Sequence, residues 1–240
     1  MEAARDDARD DARDVVREVA GGAAAGGAPR AASGPARRGP GRRAALLLPA
    51  ALLAWPVAAG AAAGTAQFRI MRSGSQIGTH QISVSRSGNG VEARGDVQIA
   101  VRLAGFTVFR YAHLTAEIWQ GDRLRSFTSH QDRNGRVSDV TVRAEGGGLT
   151  ALLPAGPVRL PAEAAPLTWW NPAVLTRPLF DGGTGQPLQA RAQRLPDDNG
   201  HQHWRVTGDA EGEAWYDRDD TLVGFVTKGD DGSTVTYERA

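Results

Sequence analysis

The chain has 240 residues, with 28 Lys and Arg against 27 Asp and Glu and no cysteine. Nine of those cations and seven of those acids precede residue 64, leaving 19 and 20 beyond it; so even a balance excludes the basic stripe with which a protein neutralises nucleic-acid phosphates. The lack of cysteine excludes disulfide staples and a lipoprotein acyl anchor.

The first 36 residues open on a repeated Ala-Arg-Asp-Asp unit and pass into a Gly/Ala/Pro/Ser stretch at 21–34. The repeat places Arg and Asp at helical spacings but has almost no apolar face, so it reads as a disordered or solvated helical extension. Residues 37–63 read as a signal peptide. Arg37, Arg38, Arg42 and Arg43 form the positive flank, 44–54 the apolar stretch, and Val57-Ala58-Ala59 or Ala61-Ala62-Ala63 the small-x-small cleavage pattern. Pro49 and Pro56 interrupt a run already shorter than the roughly 20 apolar residues of a spanning helix. The expected product is periplasmic or secreted. A signal peptide ordinarily starts near its positive flank, so the extension points to translation beginning nearer Ala36.

Residues 64–240 read as a single β-rich domain whose dominant period is two. Val91, Ala93, Val97, Ile99, Val101 and Leu103 alternate with Glu92, Arg94, Asp96, Gln98 and Arg102, as in one long strand with one buried face. After Ala104-Gly105, the even positions Phe106, Val108, Ala112, Leu114, Ala116 and Ile118 carry the apolar face. Phe109, Tyr111, His113, Thr115, Glu117 and Trp119 lie opposite. Gly121-Asp122 turns the chain, and Asn134-Gly135 joins strands at 124–130 and 137–144 as a tight hairpin. Shorter strands are expected at 149–153, 158–160, 187–195, 203–208, 212–216, 222–227 and 234–238, and Pro172 opens one short helical turn. About ten to thirteen strands linked by turns make an all-β antiparallel meander, curled into a half-barrel or a closed soluble β-barrel.

No motif for catalysis, metal or cofactor stands out, and none of the three is expected. Gly182-Gly183-Thr184-Gly185 is followed by Gln186-Pro187 where a phosphate loop needs Lys and a helix. His201 and His203 share a strand face without an evident third ligand. Asp217, Asp219 and Asp220 depart from calcium-loop spacing and suit a turn. The ligand-binding candidates are Arg110, His113, Trp169, Trp170 and Asn171. Arg110 sits on the apolar face between Val108 and Ala112, where a buried guanidinium needs an acid or a ligand anion. Trp169-Trp170-Asn171-Pro172 sets two large aromatics in a Pro-bounded loop that either plugs one end of the barrel or lines its mouth.

Residues 68–80, the Phe109-Arg110-Tyr111-Ala112-His113 strand, Trp169-Trp170-Asn171-Pro172, and the closing segments 215–225 and 231–237 resemble an uncharacterised family of exported bacterial proteins, a domain of unknown function. The likeness covers about residues 66–239. It implies export and a β-rich fold and supplies no catalytic residues. Three functions remain open: a non-catalytic envelope module that binds or carries a lipid-like or other apolar small molecule, a structural or interaction protein with a filled core, and a hydrolase assembled from His113 or His130 beside a Ser or Asp. The first is the expected one; the domain spans no membrane and binds no nucleic acid.

Overall fold

Tight turns between alternating stretches build the molecule. The structure, a computed structural model, describes residues 63–229 and 232–240; the expected extension at 1–36 and all but the last residue of the expected signal peptide at 37–63 lie outside the described residues. The chain runs through β1 (Gly64–Arg72), β2 (Ser75–Ser87), β3 (Gly90–Leu103), β4 (Phe106–Gln120), β5 (Arg123–Arg133), β6 (Arg136–Glu145), β7 (Gly148–Leu153) and β8 (Gly156–Leu160). Two short strands, β9 (Ala165–Pro166) and β10 (Leu179–Phe180), flank a 3-10 turn at Pro172–Val174. Then follow β11 (Ala190–Asp198), β12 (His201–Gly208), β13 (Gly212–Tyr216), β14 (Leu222–Lys228) and β15 (Thr234–Arg239). Ser73-Gly74, Ala104-Gly105, Asn134-Gly135, Gly146-Gly147 and Asn199-Gly200 each close a hairpin with positive φ at both residues. That geometry matches the right-handed twist of the flanking strands.

All strands but β9 and β10 join one 13-stranded antiparallel sheet in the order β11-β12-β13-β14-β15-β1-β2-β3-β4-β5-β6-β7-β8. This is the expected meander in its open form, because no pairing joins β8 to β11. Neighbouring strands of this sheet are consecutive in the chain except at one seam, where β15 lies against β1 and pairs Phe68 with Arg239. Beyond the sheet, no described helix is long and apolar enough to cross a membrane.

The buried face of β4 is the reverse of the expected one. Without interruption, the Ala104-Gly105 turn would set odd positions of β3 against even positions of β4. A β-bulge between Val101 and Arg102 intervenes: Arg102 pairs with Thr107 but Val101 with Phe109, leaving Val108 as the extra residue. One extra residue moves every later side chain to the other face. Phe109, Tyr111, His113, Glu117 and Trp119 are therefore buried, while Leu114 and Ile118 are exposed. Smaller differences lie at β1 and β2, which the alternation pattern did not single out, and at β11, which begins at Ala190 rather than at 187. Pro187 has no N–H to give a ladder and forms only an isolated bridge with Phe180.

Residues 161–189 cross the inner face of the curled sheet. The Phe180 ring meets Phe127 edge-on at 5.4 Å, and Ser138 donates its hydroxyl to the Gly183 carbonyl at 3.2 Å. Leu167, Trp170, Leu175, Leu179 and Phe180 are buried and join the single core that Phe68, Ile70, Ile99, Phe127 and Val142 make on the sheet. Each such large apolar side chain contributes roughly 1.5–3 kcal/mol of transfer free energy.

Candidate functional site

Adjacent strands set a row of rings along the inner face. Phe225 of β14 pairs with Tyr237 of β15, and Phe68 of β1 with His80 of β2. Their ring centroids succeed one another at 5.1 Å from Phe225 to Tyr237, 5.7 Å to His80 and 6.1 Å to Phe68. The crossing segment extends the row: Trp169 packs on Phe225 at 4.4 Å. Trp169 holds φ at 62°, a left-handed backbone that bulky residues seldom adopt. Tyr216 holds it there by donating its hydroxyl to the Trp169 carbonyl at 2.8 Å.

Between this row and β3–β4 lies a cavity of ≈ 50 Å³, lined by His80, Gly95, His113, Thr115, Glu117, Thr168, Trp169, Trp170, Phe225 and Tyr237 among others. It is mixed in character, with aromatic walls and a few converging polar groups, as small-molecule sites are. Its volume as described is room for a few water molecules. Arg94 also contributes to the lining, but its guanidinium is turned outwards to Glu92, with Nε 2.7 Å from Oε1.

Glu117 is the central polar group. Its Oε1 accepts from Thr168 Oγ1 at 2.6 Å and Trp170 Nε1 at 2.9 Å, and its Oε2 accepts from Trp119 Nε1 at 2.8 Å. All three donors are neutral, and among the described residues no cation lies in ion-pair contact with this acid. Burial pushes its pKa up to about 7, against the opposing pull of the three hydrogen bonds.

The imidazoles around it are held neutral. His80 is lowered to about 4 by burial and then by His113; its Nδ1 has no partner among the described residues. His113 is lowered to about 4, again by burial first, although a hydrogen bond with the Gly182 backbone acts the other way. Its Nε2 lies 2.8 Å from Ser129 Oγ. Farther along the crossing segment, Asp181 Oδ1 accepts from the Gly183 and Thr184 amides at 2.9 and 2.6 Å, while Oδ2 is buried without a partner among the described residues. Burial raises this acid to about 7 as well.

Of the residues singled out from sequence, Trp169, Trp170 and His113 meet at the cavity. Asn171 does not line it: its side chain caps the 3-10 turn by accepting from the Ala173 amide at 3.0 Å. Arg110 is exposed on the outer face of β4, away from His113, because of the bulge described above. His130 pairs with Asp139 at 2.7 Å on the exposed surface, apart from the cavity. His203 stacks on Trp215 at 4.6 Å and bonds Glu213 at 2.6 Å. Asp217 accepts from the Asp219 and Thr221 amides, as a turn former does. Glu117, His80 and Thr168 were not visible as site residues. The signal for Glu117 was its even spacing from Trp119 and from Phe109, Tyr111 and His113, legible only once the bulge is known.

A family model described as a domain of unknown function, DUF6134, matches residues 68–240. No curated protein matches the chain. Among solved structures, the crystal structure of a DUF1089 family protein from Pseudomonas aeruginosa is similar, with 15% identity over 64% of this chain and 90% of that one and a TM-score of 0.38.

Proposed function

We propose that this chain, which belongs to the DUF6134 family of domains of unknown function, is an exported binding module of the cell envelope that encloses a small ligand with an apolar body. The observation that carries this reading is the cavity, where an aromatic wall from Phe225, Tyr237 and Trp169 faces buried polar groups, including the unpartnered Nδ1 of His80. Buried polar atoms are nearly always paired, so one left open beside a cavity supports a ligand there. A ligand larger than a few waters is admitted by an outward shift of the Trp169 ring, whose strained backbone marks it as the part that moves, while Thr168 and Trp170 keep their bonds to Glu117.

The small size of the cavity favours a second reading, a structural protein whose core residues 161–189 have filled. The hydrolase reading has its His–Ser contact in His113 and Ser129. Ser129, however, is buried and does not line the cavity, which suits a core hydrogen bond better than a nucleophile. Native mass spectrometry of protein purified from the envelope without detergent separates the first two readings. The binding module predicts a mass excess that denaturation removes; a mass equal to the polypeptide in every charge state overturns it.

A further inference from the structure

We infer that the group bound in this cavity is a small quaternary ammonium, held by Glu117 within the ring wall of Trp169, Trp170, Phe225 and Tyr237; the inference rests on the binding reading above. Three neutral donors satisfy most of the roughly four lone-pair sites of a carboxylate, and thereby orient the group as an anion. They do not cancel its charge. A buried charge without a counter-ion is costly, and here the described residues supply none: Arg94 is turned to Glu92 outside, and His80 and His113 are neutral. What the site lacks is a positive charge that needs no further hydrogen bonds. A quaternary ammonium is that group, and aromatic faces attract it through their quadrupoles. Four rings line the same cavity as the acid.

The source of such a group is either a free small molecule or a lipid headgroup, and the test separates them. The folded protein is titrated with choline, with its uncharged isostere 3,3-dimethyl-1-butanol, and with dihexanoylphosphatidylcholine below its micelle concentration. Calorimetry and the intrinsic tryptophan fluorescence, to which Trp169 and Trp170 contribute, serve as readouts. At pH 8 choline or the short lipid is expected to bind at least about tenfold more tightly than the isostere, and the tighter of the two identifies the source. At pH 5.5, where Glu117 takes up its proton, that advantage should fall severalfold. The buried titratable groups facing the cavity keep their state over this interval: His80 and His113 are neutral above about 4, and burial raises Tyr237 well above the interval. Glu117→Gln should abolish the preference while still binding the isostere. If that variant does not fold, the isostere and pH arms on the unaltered protein decide alone. Equal binding of choline and the isostere overturns the ammonium assignment and leaves the binding module standing. Failure of both choline and the lipid to bind overturns the assignment too, and the envelope-purified mass then judges the module independently.

Discussion

Trp170 donates its indole N–H to Glu117 Oε1 at 2.9 Å, so one carboxylate of β4 ties down the segment that crosses the sheet. Thr168 reaches the same oxygen. The acid thus fastens residues 167–170 over the cavity and supplies its negative charge, and these two roles give the site its testable behaviour.

The four buried titrating groups offset one another. Between about pH 5 and 6 the unfolded chain holds protons on His80 and His113 and none on Glu117 and Asp181; the folded chain holds them on the two acids, raised to about 7, and not on the imidazoles, lowered to about 4. Equal proton counts make their joint contribution to stability flat in that window. Glu117→Gln removes a proton from the folded side only, so its stability should rise with pH, by up to about 1.4 kcal/mol per unit. His80→Phe removes one from the unfolded side and should slope the other way. Urea unfolding at pH 5 and pH 6 measures both, and slopes of the same sign would refute the balance.

Trp169 should reverse the usual order of alanine and glycine substitutions. At φ 62° any Cβ is strained, by roughly 1–2 kcal/mol. Trp169→Ala loses the ring contact with Phe225 and keeps the strain, whereas Trp169→Gly loses the contact and relieves it. The glycine variant should be the more stable of the two by about 1 kcal/mol in chemical denaturation.

Two glycines separate packing from binding. A Cβ at Gly78 would lie 2.2 Å from the Gln98 carbonyl oxygen, a backbone atom that cannot step aside. Gly78→Ala should therefore destabilise the sheet by roughly 1–3 kcal/mol. At Gly95, a cavity-lining residue, the near neighbours are the Thr115 hydroxyl at 2.7 Å and His80 Nε2 at 3.6 Å, both side-chain atoms. Gly95→Ala should cost less in thermal unfolding and weaken ligand uptake more.

Arg110→Ala and Trp170→Phe form a contrasting pair. Arg110 is exposed on the outer face, so its replacement should change stability by less than about 0.5 kcal/mol and leave binding unaltered. Trp170→Phe keeps most of the buried ring but deprives Glu117 of a donor, at about 1–3 kcal/mol, and should weaken binding. Chemical denaturation and calorimetry of the two variants make the comparison; a larger effect at Arg110 would displace the cavity from its central place.

How far the sequence carried depended on whether period two survived. The hairpin at Asn134-Gly135, the long β3, the short turn after Asn171 and the antiparallel meander followed from alternation and turn chemistry. The inner face of β4 did not, because its even residues are themselves apolar and the bulge that inserts Val108 leaves no mark in composition. That one residue decided whether Arg110 or Glu117 belonged inside. The Trp169-Trp170 pair stood out as unusual local sequence, whereas His80 became part of the site only through neighbours brought to it by distant strands.

The seam between β1 and β15 governs when the sheet can be finished. Phe68 pairs with Arg239, and the Ala240 amide reaches the Gln67 carbonyl at 2.9 Å, so a central ladder joins strands about 170 residues apart. Contacts so far apart in sequence are slow to form. Until β15 docks, β1 keeps one open edge, and the strands β1–β8 and β11–β15 remain two separate half-sheets whose halves of the aromatic row, Phe68 and His80 on one and Phe225 and Tyr237 on the other, have not yet met.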